Sequence, residues 1–221
     1  MSYFVYQGKN IYYTSDGSGM PTLFLHGNTA SSMMFEMLMP LYTDELEVIR
    51  MDFLGNGRSD RVERFPENIW LDQGKQVVAL AETLGYNKIN LIGTSGGAYA
   101  AINAALLRPE LFRCVIADFY EWNQGVDWER VVDQDTEALV ALAESGASLF
   151  VRPIETIQVP LLITVSRADE MLANDMAAEC AQLSVANPLI RYKIYEDGAH
   201  PLILSKAEEI ARVVKRFLLE T

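Results

Sequence analysis

Apolar residues along the chain fall into short runs separated by stretches of helical periodicity. The runs are TLFLHG (22–27), EVIRMD (47–52), INLIG (89–93), CVIAD (114–118), PLLITVS (160–166) and RYKIYE (191–196). Each is too short for a helix, and their content of Val, Ile and Leu suits strands covered on both faces, as in a parallel sheet. Between them, Trp70, Leu71, Gly74, Val77, Val78, Ala81 and Leu84 recur at helical spacing, as do Ile210, Val213, Val214, Phe217 and Leu218. Gly85 and Pro109 follow such patterns closely and read as stop signals. At the front, YFVYQ and NIYYTS flank a turn-like Gly8-Lys9, which predicts an antiparallel hairpin leading into the sheet. The alternation predicts an α/β fold: a mostly parallel central sheet with helices on both faces.

One connection breaks the rhythm. Residues 119–159 separate CVIAD from PLLITVS, more than a single crossover helix needs, and carry FYEWNQGVDW and then a helical pattern through Val131, Val132, Leu139 and Leu142. They are expected to form a small lid or excursion over the strand ends. With 221 residues, half of them apolar, the chain is sized for one domain spanning 1–221 and not for two. No internal repeat, low-complexity tract or Gly/Ser-rich linker divides it.

Charge narrows the partners. Eighteen basic against 30 acidic residues leave a net charge of −12, whose field repels phosphate backbones and anionic lipid surfaces. The N-terminal MSYFVYQGKNIYYTSDG lacks a basic stretch followed by an apolar segment and a cleavage site, and no apolar run is long enough to span a bilayer. The expectation is a soluble cytoplasmic protein that acts on a small molecule, with no nucleic-acid or membrane partner. Cys114 and Cys180 lie in apolar patterns and read as buried thiols rather than as a disulfide or a metal site.

The chemistry concentrates in Gly93-Thr94-Ser95-Gly96-Gly97, a G-x-S-x-G pattern between the run INLIG and the small-residue tract GAYAAINAALL. A sharp strand-to-helix turn of this kind strains the serine backbone, requires small neighbours, and exposes the hydroxyl at a helix N-terminus. A glycine-rich turn whose serine merely caps the helix fits the five residues alone; the flanking strand and helix favour a nucleophile. Nucleotide binding fits less well. No Lys-Ser/Thr follows the glycines, and Gly55-Asn56-Gly57-Arg58-Ser59-Asp60 lacks the last glycine of the dinucleotide fingerprint.

A serine needs a base within hydrogen-bond reach, held in turn by a third group. The chain has only two histidines. His200, in EDGAHPLI after the last strand-like run, is the candidate base. Asp169, in SRADEML after PLLITVS, is the candidate acid that would hold the imidazole tautomer, with Glu170 and Asp118 as rivals. The same aspartate would also serve as a helix cap. In LFLHGNTASS, the backbone amide of Asn28, together with that of Gly96, is placed to bind an oxyanion, with His26 organising the turn.

With these residues assembled, the sequence resembles the α/β-hydrolase fold superfamily, specifically serine hydrolases with an HG-x oxyanion turn. FLHGNTASS, RMDFLGNGRSD, INLIGTSGGAYAA, RPELFRCVIAD, ITVSRADE and EDGAHPLI carry the likeness, and the order Ser95, Asp169, His200 is that of the fold's triad. The resemblance implies that DFLGNGRSD is a structural loop in which Asp52 and Ser59 support local turns. Three departures stand out. The 119–159 segment is short beside the helical caps of many relatives. HGN resembles the turn of haloalkane dehalogenases, but those enzymes carry an aspartate nucleophile where this chain has Ser95. Ser166 stands where many relatives start the acid loop with glycine.

These features predict a serine hydrolase cleaving a small carboxylic ester or related acyl compound through an acyl-enzyme, without metal or organic cofactor. Carbon–carbon bond hydrolysis, thioester or amide cleavage and acyl transfer fit the same residues, and so does a non-catalytic ligand-binding protein of this fold. Met33, Phe119, Trp122, Trp128 and Leu202, with Met34 and Tyr120 nearby, are candidates to line an apolar pocket; lid and core packing are the alternatives for each.

Overall fold

A computed structural model describes residues 2–118, 136–169 and 176–221. The chain opens with β1 (Ser2–Tyr6) and β2 (Lys9–Gly17), paired antiparallel with Tyr6 opposite Lys9 around the expected turn. β3 (Met20–Leu25), β4 (Leu46–Met51), β5 (Ile89–Thr94), β6 (Phe112–Asp118), β7 (Leu161–Ser166) and β8 (Ile190–Tyr195) follow. The sheet order is β1-β2-β4-β3-β5-β6-β7-β8. β2 meets β4 antiparallel, and from β4 to β8 every pairing is parallel.

All six residues of β5 and of β7 are buried, the condition that the uninterrupted apolar runs anticipate. Alternation along β3 sends Leu23 and Leu25 to one apolar layer and Phe24 to the other. The first layer holds α1 (Ile69–Leu84), α2 (Gly96–Leu107), α3 (Thr136–Ser145) and α4 (Met176–Ala186). The second holds α5 (Leu202–Ser205), α6 (Ala207–Glu220) and a 3-10 helix over Ser32–Leu41 that the apolar pattern does not reveal. The boundaries shift modestly: β6 begins at Phe112 and β2 runs on to Gly17.

The centre is α2, whose sequence GGAYAAINAALL is buried from Gly96 to Leu106. Its alanines let α1 approach closely: a Cβ on Gly74 of α1 would stand 2.8 Å from the Cβ of Asn103 and 3.1 Å from the amide of Ala104. Asn103 is buried inside this helix, donates to the carbonyl of Leu149 and accepts from the amide of Val151, each at 2.9 Å. Phe150 is thereby laid against Tyr99, and Tyr99 stacks on Trp70 with ring centroids 4.2 Å apart.

Within the expected excursion at 119–159, the part from residue 136 is described. It contains α3, with Leu139 and Leu142 buried as their spacing anticipates. Residues 119–135 lie outside the described residues. Cys114 and Cys180 are buried thiols, and burial pushes the Cys114 thiol up to about 11. Among the described residues no helix is long and apolar enough to cross a membrane.

Candidate active site

Parallel strands deliver their C-terminal ends to one edge of the sheet, and the connections after β3, β5, β7 and β8 bring the candidate residues there. Ser95 joins β5 to α2 with φ 52° and ψ −127°, a left-handed conformation that a non-glycine residue adopts only under constraint. The constraint is visible. The amide of Ser95 donates to the carbonyl of Asp118 at 2.9 Å, and its carbonyl accepts from the amide of Ala98 at 2.9 Å. A Cβ on Gly93 would run into the backbone of Gly97, and one on Gly97 would sit 2.6 Å from the carbonyl oxygen of His26. No side chain fits at either position, which is the physical content of the glycines in the pattern.

The turn after β3 abuts this serine. A Cβ on Gly27 would lie 3.0 Å from the Cβ of Ser95 and 3.5 Å from its Oγ. Next to it, the side-chain carbonyl of Asn28 lies against Gly96, where an added Cβ would clash with it. The amides expected to hold an oxyanion therefore belong to two adjoining residues. His26 fixes the turn. Its Nε2 accepts from the amide of Phe53 at 3.1 Å, which puts the proton on Nδ1, 2.7 Å from the carbonyl of Gly27. Thr29, with φ 58°, completes the reversal.

Trp70 was hidden in the apolar pattern of α1. Its indole N–H donates to Oδ1 of Asn28 at 3.0 Å. An indole only donates, so this bond fixes which end of the Asn28 amide faces it. Nothing in the sequence marks the pairing, because the two residues are 42 positions apart and a tryptophan at helical spacing reads as core.

The acid and base loops follow β7 and β8. Nδ1 of His200 stands 3.1 Å from Oδ2 of Asp169, with the two side chains 15% and 1% exposed. With the carboxylate accepting from Nδ1–H, the lone pair resides on Nε2, the tautomer that a general base requires. Ser166, the departure from glycine, takes part in the loop: its Oγ accepts from the amide of Ala168 at 3.1 Å. Of the rival carboxylates, Asp118 is engaged elsewhere. Its Oδ2 accepts from the Thr94 hydroxyl at 2.8 Å and the Ile203 amide at 3.0 Å, and its Oδ1 from the Thr164 hydroxyl at 2.9 Å. Burial pushes its carboxyl above the usual carboxylate range, against the pull of those three donors and of His200. Glu170 lies outside the described residues.

Asp52 and Ser59 act as turn supports. Asp52 accepts from the amides of Ser32 at 2.6 Å and Arg58 at 2.8 Å, while Ser59 donates to the Asp52 carbonyl and accepts from the amide of Tyr12. The pocket candidates divide. Met33 is 65% exposed on the 3-10 helix. Leu202 is buried in the second apolar layer, two residues after His200. Phe119, Trp122 and Trp128 lie outside the described residues. Among the described residues, no three His, Cys, Asp or Glu side chains gather as metal ligands would.

Comparison with known proteins agrees with this architecture. A family model for the alpha/beta hydrolase fold matches residues 21–126. A 2-(acetamidomethylene)succinate hydrolase of Mesorhizobium japonicum is 33% identical over 136 residues, 61% of this chain and 45% of that protein. The chain spans under half the length of the curated relatives it matches first. Among solved structures, the alpha/beta hydrolase MGS-M2 from a Medee basin deep-sea metagenome library superposes with a TM-score of 0.80 at 18% identity, covering 100% of this chain and 98% of that one. Carboxylesterase CesB from Bacillus subtilis gives 0.75 at 17% identity, covering 100% and 91%. At such identities the structural likeness speaks for the fold.

Proposed function

From the match of residues 21–126 to the alpha/beta hydrolase fold, we propose that the chain is a serine hydrolase of that superfamily cleaving a small carboxylic ester. Ser95 Oγ attacks the carbonyl while His200 Nε2 takes its proton. Asp169 holds the imidazole and stabilises the imidazolium. The amides of Asn28 and Gly96 bind the oxyanion. Collapse expels the alcohol, protonated by His200, and water, deprotonated by the same imidazole, releases the acid from Ser95.

One observation carries this reading. Asp169 and His200, 31 residues apart in sequence, meet in a hydrogen bond at the sheet edge that also bears a strained serine. Strain of this kind is kept where surrounding structure enforces it, most often at functional sites. A second reading, cleavage of an amide at the same serine, is favoured by the likeness to a relative named for an acetamido compound.

Labelling with a fluorophosphonate, followed by peptide mass spectrometry, tests the nucleophile. The expected adduct is on Ser95 and disappears in Ser95→Ala. His200→Ala slows its formation by roughly 10³-fold or more, in line with loss of a triad member. Absence of an adduct on folded protein would exclude an activated serine. A p-nitrophenyl ester series alongside the matching anilides then separates ester from amide cleavage.

A further inference from the structure

Thr94, Asp118 and Thr164 stand side by side at the C-terminal end of the sheet. In the strand registers Thr94 is opposite Asp118 and Asp118 is opposite Thr164, so the three form one polar rung across β5, β6 and β7. All three are fully buried. The rung continues the row of Ile92, Ile116 and Leu162, two residues earlier on each strand, which belongs to the apolar layer under α5 and α6. A carboxylate there is out of place by transfer energetics, and no basic side chain pairs with it in any ion pair of the described residues.

What it holds explains its position. Thr94 precedes Ser95, whose own amide is bound by the Asp118 carbonyl. Thr164 lies on the strand that leads to Asp169. Ile203, whose amide completes the set, comes three residues after His200. We propose that Asp118 is a positioning residue, tying the serine turn, the acid strand and the histidine loop to one point. This rests on the reading of Ser95 and His200 as nucleophile and base. Among the described residues, the titratable groups close enough to feel its charge are His200, Tyr42 and Tyr195; both tyrosines are buried, with hydroxyls that have no hydrogen-bond partner there.

Asn at this position can keep all three bonds: its carbonyl accepts from Thr94 and Ile203, and its amide donates to the Thr164 hydroxyl, which rotates to accept. Ala keeps none. The test is the concentration dependence of fluorophosphonate labelling of the full chain, which separates the inactivation step from binding. Positioning predicts that Asp118→Ala lowers the inactivation rate constant on the order of 100-fold with probe affinity within about threefold, and that Asp118→Asn restores it to within about fivefold of wild type. Should Asp118→Ala fail to fold, Thr164→Val and Thr94→Val carry the test, each with a loss of about five- to tenfold in the same rate constant. A folded Ala variant, or both Val variants, labelling at the wild-type rate would overturn the proposal, as would Asn labelling as slowly as Ala. Wild type that takes no adduct would instead sink the nucleophile reading beneath it.

Discussion

Asp118 is buried completely, yet three donors keep it in place. Burial raises its carboxyl above the usual range, so the folded state binds a proton more tightly than the unfolded chain does. The sign follows from linkage: its contribution to stability is fully present below the ordinary carboxylate range and is lost as pH rises towards the folded value. Asp118→Asn carries no such loss. Thermal melts from about pH 4.5 to about pH 8 should show the Asn variant gaining on wild type as pH rises. A parallel pair of curves would mean that the carboxyl is not held in an unusual state. At this scale the sequence was most informative where chemistry is local. Ser95 is recognisable because its glycines are its immediate neighbours, whereas the restraint on Asp118 comes from residues 24, 46 and 85 positions away.

Elements add what single residues cannot. The turn between β3 and the 3-10 helix is held from inside by His26 and from α1 by Trp70. Removing the indole N–H leaves a partly buried carbonyl oxygen without its donor, at a cost of about 1–2 kcal/mol. Trp70→Phe keeps most of the stack on Tyr99 and, if the amide of Asn28 acts on the oxyanion and not on the ground state as proposed, should lower ester kcat about tenfold while moving KM less than about twofold. A matched change in KM with constant kcat would instead give Trp70 a role in substrate binding. Strands and long helices were legible because their periodicities are strong; the 3-10 helix was not, since SMMFEMLMPL offers neither period cleanly and ends near Pro40. The pairing of Trp70 with Asn28 needs the packing of α1 on α2, which the alanines of α2 allow but do not announce.

For the whole molecule, the alternation of runs and helices foretold a parallel sheet fronted by a hairpin, while the strand order β1-β2-β4-β3-β5-β6-β7-β8 needed the fold. Charge acts at this scale too. A net charge of −12 repels anionic substrates, and that repulsion is screened by salt. An ester carrying a carboxylate should therefore show kcat/KM rising about two- to fivefold between about 10 and about 200 mM salt, with a neutral ester of the same alcohol nearly flat. Equal salt responses would place a compensating positive field at the site.

Asp118 is also the last residue of β6, and Asn103 grips Leu149 and Val151 further along the chain. The chain leaves the sheet at an anchor bonded to β5 and β7 and is caught again at one bonded to α2. Both anchors are made by residues outside the stretch between them, so a change of length or sequence there leaves the bonds of Asp118 to the serine turn and the histidine loop in place.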